Sequence, residues 1–388
     1  MWIMKLLICL LIVLPIGVLD AGFGSFSLPL KRSVTARAGE LGQPVINYYT
    51  KVAIGTPEQK FNIQFDIGLA DSFIPKREES LADWSAYLHH RDGYAAELST
   101  TSQLPASADK VHLDYQHCRL TGEKYTDLFR FPQAESETPV EFKQNFIAVS
   151  RASNRQFKYL PVDGYLGLPA TNVSRNGIVN PLMAVADKFE FPHYYFTLWL
   201  NASQDGDEGG YITFDCHYTG RFTGVVRYRN VIEEPEGRWA LKLRSVSVRD
   251  SSIDCDEIRC QAILSTGRSD IYGPREAVNK LYSELGVVND SLPLVDCRRI
   301  DQLDPKLPPV IFIEGDSGAE YTLPPELYIR RLPDEKLFKN ETCYVTILPQ
   351  DDHPHQWILG TNFLTNYYTV FELTPPKQVG LALSRQKF

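Results

Sequence analysis

Two stretches of this chain share one grammar. IQFDIGLADSFIP spans residues 63–75 and AILSTGRSDIYGP spans residues 262–274. Each runs from strand-like residues to a short polar residue, then x-Gly, then an Asp five positions beyond the polar residue, then a Pro. The polar residue is Asp66 in one copy and Ser265 in the other. A second landmark repeats in the same order. DGYLGLP places Gly167 101 positions after Asp66, and WILGTNF places Gly360 95 positions after Ser265. Landmarks repeated in register over half a chain imply two similar lobes. Their tight turns would face each other across a cleft.

The rest of the sequence fits that frame. A chain of 388 residues, 43% hydrophobic and 23% charged, is globular and long enough for about two domains. Short alternating runs such as YYTKVAIG, FNIQFDIG, KVHLDY, HYYFTLWL and YITF are rich in Val, Ile, Phe, Tyr and Thr and are broken by Gly, Pro, Asn and Asp. They predict a mainly β protein. Only brief helices are expected, for example at PLMAVADKF and at PREAVNKLYSEL, which opens with Pro274 and has apolar residues at helical spacing.

The N-terminus, MWIMKLLICLLIVLPIGVLDAG, has the layout of a secretory signal peptide. Its apolar run is short for a membrane span and contains Pro15 and Gly17, so cleavage is expected rather than anchoring. Beyond Cys9, six cysteines remain: Cys118, Cys216, Cys255, Cys260, Cys297 and Cys343. An even number in a secreted chain suggests three disulfides among fifteen formal pairings. Zinc would need clustered ligands such as Cys-x-x-Cys, and the sequence has none, so no metal site is expected. Sequons at Asn172, Asn201, Asn289 and Asn340 mark four candidate glycosylation sites, each expected at the surface. The net charge of −8 and the lack of a basic stripe argue against a nucleic-acid partner. The histidines of LHH at 88–90 and DDHPHQW at 351–357 read as solvated loop residues.

At the repeated turns the chain resembles the pepsin family of aspartic peptidases, from about Tyr48 to Leu383. YYTKVAIGTPEQKFNIQFD is similar to the entry into that family's first catalytic loop. LDYQHCRLTG falls on its mobile flap, with Tyr115 at the flap tyrosine. PVDGYLGLP and HQWILGTNFLTNYYTVFELTPPKQVGLALS resemble the segments that support the catalytic loops, and CQAILSTGRSDIYGP resembles the second loop. The resemblance implies a bilobal pepsin-like, acid-protease fold with two β-barrel-like lobes about a cleft, no cofactor and a monomeric state. The divisions it implies are a signal peptide at 1–21, a short pro-segment-like linker at 22–46, an N-terminal lobe with the flap at 47–220 and a C-terminal lobe at 221–388. Within 22–46, Lys31 and Arg32 keep the flavour of a basic pro-segment. The resemblance also implies disulfides Cys255–Cys260 and Cys297–Cys343. Cys118 and Cys216 are left over, to bridge each other or to leave Cys118 free.

The family's chemistry places one Asp from each lobe about a water, and the like-charged pair shares a proton. Asp66 can titrate in the working range; the Ser265 hydroxyl cannot. Other departures point the same way. Where the family reads Asp-Thr-Gly-Ser, this chain reads Asp66-Ile67-Gly68-Leu69; the resemblance implies that Ile67 cannot join the hydrogen-bond exchange with Thr266 of the other lobe and that Leu69 cannot bond the carboxylate as the Ser does. In the second loop Thr266 and Gly267 are kept, but Arg268 replaces a small hydroxyl residue; turned inward, it would pair with Asp66 and hold it ionised. Gln116-His117-Cys118 replaces a pliable glycine-rich flap tip. Asp71 and Asp270 are the candidate substitute acids, but the geometry of the loops points them away from the water. A Ser265 nucleophile would need a base, and only His117 is a plausible neighbour.

The reading is a secreted glycoprotein homologue of the pepsin family, catalytically silent or very weak. Its cleft, lined by Tyr115, Phe73 and Leu69, is expected to bind a peptide or protein ligand. The competing readings are an endopeptidase working at acidic pH through Asp66, and a structural or signalling protein that uses its outer surface.

Overall fold

A computed structural model of the chain describes residues 25–35, 44–77, 93–104, 110–134, 136–153, 157, 160–202, 208–255, 259–287, 292–300, 302, 305–331 and 342–386. The signal-like segment, the histidines at 88–90 and the sequons at Asn289 and Asn340 lie outside these residues.

The alternating runs form strands. The first half of the chain supplies β1 (Phe26–Thr35), β2 (Val45–Ile54), β3 (Gln59–Asp66), β4 (Phe73–Pro75), β5 (Val111–Tyr115), β6 (Cys118–Phe131), β7 (Val140–Ala152), β8 (Gly164–Gly167), β9 (Tyr195–Leu200) and β10 (Gly210–Phe214). The second half supplies β11 (Phe222–Asn230), β12 (Ala240–Val248), β13 (Ser251–Asp254), β14 (Gln261–Leu264), β15 (Ile271–Pro274), β16 (Leu294–Asp296), β17 (Val310–Glu314), β18 (Glu320–Leu323), β19 (Ile329–Arg331), β20 (Thr342–Val345), β21 (Ile347–Gln350), β22 (Gln356–Leu359), β23 (Tyr367–Glu372) and β24 (Gln378–Ser384).

One sheet runs β11-β24-β23-β9-β10-β1-β2-β3-β8-β4-β7-β6-β5. A second runs β18-β17-β12-β14-β22-β15-β21, with β13 on β12, and β16-β20-β19 form a small third. The last two strands of the chain therefore pair beside β9 of the first half, and the two halves share a common floor. Each lobe repeats a parallel pair: β3 with β8, Asp66 opposite Gly167, and β14 with β22, Leu264 opposite Leu359. That pairing is the structural content of the sequence repeat.

Part of the stretch read as a linker is a strand. Phe26, Leu28 and Leu30 are buried. The first half of β1, Phe26–Leu30, pairs with β10, and the second half, Lys31–Thr35, pairs with β2. The signal was present in FSLPL, where apolar residues alternate, but composition over the whole stretch hid it.

Both expected helices form. α1 (Pro181–Phe189) has Pro at its start and the Asn180 side chain accepting from the Leu182 N–H. α2 (Arg275–Leu285) buries Ala277, Val278, Leu281, Tyr282 and Leu285, one face of a 3.6-residue period, and stops at Gly286 in the left-handed region. A continuous core spans both lobes, with Trp239 and Trp357 fully buried.

Cys255–Cys260 and Cys297–Cys343 are bonded as the resemblance implied. The bridge from Cys118 to Cys216 does not form, and Cys118 is a free, buried thiol. The topology explains this: Cys118 opens β6 in the hairpin over the cleft, whereas Cys216 follows β10 in the shared floor. The sequons also divide. Asn172 is exposed, but Asn201 is 4% exposed and donates through Nδ2 to the Glu208 carbonyl, so the expected surface position is wrong for it. It directly follows β9 of the shared sheet, and the sequon pattern alone carries no information about burial. Among the described residues, no helix is long and apolar enough to cross a membrane.

Candidate active site

The two repeated turns meet. β3 delivers Asp66 and β14 delivers Ser265 to the same point, with Ser265 Oγ 3.5 Å from Asp66 Oδ1. Each turn rests on the glycine that the sequence repeat picked out. A side chain at Gly167 would meet the Leu69 and Asp71 carbonyls; one at Gly360 would meet the Arg268 and Asp270 carbonyls. Only hydrogen fits where the backbones approach this closely.

Thr266 and Gln64 lock the turns to each other. The Thr266 hydroxyl accepts from the Ile67 N–H at 3.1 Å and donates to the Phe65 carbonyl at 2.6 Å. The Ile67 side chain makes no reciprocal bond; it is buried in the core. Instead Gln64 donates to the Thr266 carbonyl at 2.6 Å and accepts from Asn47 at 2.8 Å. Sequence reasoning missed Gln64 and Asn47. Their signal was an amide at a buried strand position, where a lone polar side chain needs partners.

Asp66 is 1% exposed and saturated with donors. Its Oδ1 accepts from the N–H groups of Gly68 at 2.8 Å and Gly267 at 3.1 Å. Its Oδ2 accepts from the Tyr115 hydroxyl at 2.7 Å. Burial raises the Asp66 pKa above the usual carboxyl value, while Tyr115, the two amides and the charge of Arg268 pull it back. Burial outweighs the donors. The Tyr115 phenol is pushed well above its usual value by burial and by the Asp66 charge, so it stays a neutral donor.

Tyr115 reaches the acid from the hairpin of β5 and β6. Its ring lies among Phe73 at 5.5 Å, Phe157 at 6.0 Å and Tyr165 at 5.0 Å between centroids. Leu69 packs in the same cluster. Gln116 and His117 form the two-residue turn with φ of 48° and 62°, the left-handed region that disfavours such side chains.

The candidate substitutes are accounted for elsewhere. Asp71 accepts from Ser174 at 2.5 Å and from Asn176 at 2.7 Å. Asp270 is paired with Arg330 at 2.8 Å. Among the described residues, no carboxylate other than Asp66 is hydrogen-bonded to Ser265. Arg268 does not hydrogen-bond Asp66; its guanidinium lies over the Tyr272 ring, 4.8 Å from the centroid, and acts on the acid only through its field. His117 faces Asp352 at 3.4 Å, and among the described residues no imidazole is hydrogen-bonded to Ser265. Chemically the site is one buried carboxyl, one alcohol and one phenol. Among the described residues, no group of three or more metal-ligating side chains exists.

Paired turns, supporting glycines and a covering hairpin are what a bilobal acid protease is built from, and the sequence model of the family described as eukaryotic aspartyl protease matches residues 47–384. The chain belongs to the eukaryotic aspartyl protease family. Among its relatives, a renin of Echis ocellatus is 26% identical over 345 residues, covering 87% of this chain and 80% of that protein. Pepsin II-1 of Oryctolagus cuniculus is 27% identical over 338 residues, covering 86% and 80%. Cathepsin D of Mus musculus is 25% identical over 334 residues, covering 84% and 78%. Among the described residues, Asp66 is the one carboxylate hydrogen-bonded to Ser265 where the two turns meet.

Proposed function

We propose that this protein is a secreted aspartyl protease homologue that does not hydrolyse peptides, or does so very weakly, and that its cleft serves as a peptide-binding groove. Ser265 takes the place of the second catalytic Asp. The observation that carries this reading is the 3.5 Å approach of the Ser265 hydroxyl to Asp66, with no other carboxylate bonded to it among the described residues.

Water attack on an amide here needs a base to take a proton and an acid to give one. Asp66 supplies one such group. Ser265 donates and accepts hydrogen bonds but does not ionise in the working range. The Tyr115 phenol, held above its usual pKa, does not replace it. Losing one member of a coupled pair removes at least the 10²–10⁴ in rate that a single acid–base group typically contributes. The aromatic cluster of Phe73, Tyr115, Phe157 and Tyr165 supports an apolar groove. The N-terminal signal layout and the two disulfides support secretion.

The test is hydrolysis of denatured globin by purified protein from about pH 3 to pH 7, the range in which carboxyls titrate. No turnover above an Asp66→Asn control is expected. Turnover that this substitution abolishes would establish the competing endopeptidase reading and end this one.

A further inference from the structure

We propose that the β5–β6 hairpin is latched shut in the free protein by two consecutive tip residues, Tyr115 and Gln116, so that the groove is closed to ligand until the tip lets go. This concerns access to the groove and stands independently of whether the site can hydrolyse.

Each tip residue reaches a different part of the floor. Tyr115 donates to Asp66 of the first turn at 2.7 Å. Gln116 Nε2 donates to the Gly267 carbonyl of the second turn at 2.6 Å and to the Tyr115 hydroxyl at 2.9 Å. One amide nitrogen has two hydrogens, and both are used. His117 faces Asp352 on the turn after β21 at 3.4 Å. The hairpin thereby bridges both lobes. A peptide laid across the two turns has to pass between the tip and the carboxyl, and at these distances nothing fits there. Tyr115 cannot simply swing aside, because its ring is packed against Phe73, Phe157 and Tyr165.

The turn itself carries strain. Gln116 and His117 both sit at positive φ, where glycine or asparagine is preferred. Such a conformation persists when surrounding contacts over-determine it. Here the contacts are those of the latch. They are unequal: Tyr115 and Gln116 act on the buried floor, whereas His117 and Asp352 are largely exposed, and such a pair contributes little.

Cys118 provides the readout. It lies across the hairpin from Tyr115, is 1% exposed and carries a free thiol. Lifting the tip uncovers it. The experiment is alkylation of the native, ligand-free protein with iodoacetamide, with modification at Cys118 followed by peptide mass mapping. Gln116→Gly keeps a turn residue that tolerates positive φ and removes the amide bridge. Tyr115→Phe keeps the ring and removes the hydroxyl. His117→Ala removes the exposed contact.

Slow alkylation is expected in the wild type. Gln116→Gly and Tyr115→Phe each remove two hydrogen bonds and should each react at least about three- to tenfold faster, the worth of one such bond, and the double variant faster still. His117→Ala should stay within about twofold, as an exposed pair implies. Urea midpoints identify any variant whose rate rises through global unfolding, and the remaining variants then decide. Wild-type Cys118 reacting as fast as in denatured protein would overturn the proposal. So would folded variants of Tyr115 and Gln116 that react at the wild-type rate.

Discussion

Replacing Ser265 by Asp should rebuild a coupled acid pair, and its size follows from the geometry. The Ser265 oxygen is 3.5 Å from Asp66 Oδ1. Two carboxylates at about 3.5 Å with an effective dielectric near 20 repel by roughly 4–5 kcal/mol, or about three pK units. The variant would therefore titrate as a pair, the second proton leaving about three units above the first. In the unfolded chain both acids titrate near 4. Between that value and the upper folded pKa, the native state holds one more proton than the unfolded state. Stability must then fall as pH rises through this window, and the deficit should approach roughly 4–5 kcal/mol once both groups are ionised. The raised pKa of Asp66 itself has the same sign, but the wild type shares it, so the difference isolates the new acid.

Urea midpoints of both proteins from about pH 3.5 to pH 8 measure this difference directly. The gap should be small at the acid end and widen with pH. The same variant should gain turnover of denatured globin at acidic pH, in the range of about 10²–10⁴ over the wild type, because the missing acid–base group is restored. A gap that does not change with pH would show that residues 66 and 265 are not close enough to couple, and the geometric reading of the site would fall.

Two other outcomes follow from the fold. Burial pushes Asp215 up to about 6, against the pull of His193 and with a push from Glu372; the native state therefore keeps its proton longer, stability drops as pH climbs from about 4 to 6, and Asp215→Asn should flatten that slope in pH-dependent thermal melts. The effect is small, because the group is half-exposed. Opening Cys297–Cys343, with a sequence separation of 46, should cost about 4 kcal/mol in urea unfolding on the chain-entropy estimate. Opening Cys255–Cys260, with a separation of 5, should cost about half as much; equal losses would contradict the loop-entropy account.

Legibility in the sequence tracked how local the determinants are. The helices α1 and α2 were readable because period and punctuation lie within a dozen residues. The lobes and their turns were readable because the repeat wrote the same backbone requirement twice, most plainly at Gly167 and Gly360. Strand β1 was missed because the composition of residues 22–46 as a whole hid the local alternation of FSLPL; its partner β10 lies some 180 residues away. Whether Cys118 bridges Cys216 or stays free was left open by the sequence, because counting cysteines says nothing about which face of which sheet each one occupies; the structure leaves Cys118 free. Asn201 satisfied a three-residue pattern and was buried by the sheet around it.

By itself, the amino-acid order set the chemistry on offer: a carboxyl at 66, an alcohol at 265, and Asp71 and Asp270 as the candidate substitute acids. Those are properties of residue types and survive any packing. Only the tertiary structure decided where the acid's hydrogen bonds come from, that Arg268 lies on Tyr272 instead of pairing with Asp66, and that Tyr115 and Gln116 close over the floor. The bonds of Tyr115 and Gly267 to Asp66 and of Gln116 to Gly267 join segments about 50 to 200 residues apart, and such contacts arise from the folded backbone bringing distant surfaces within a few ångströms, which no local pattern encodes.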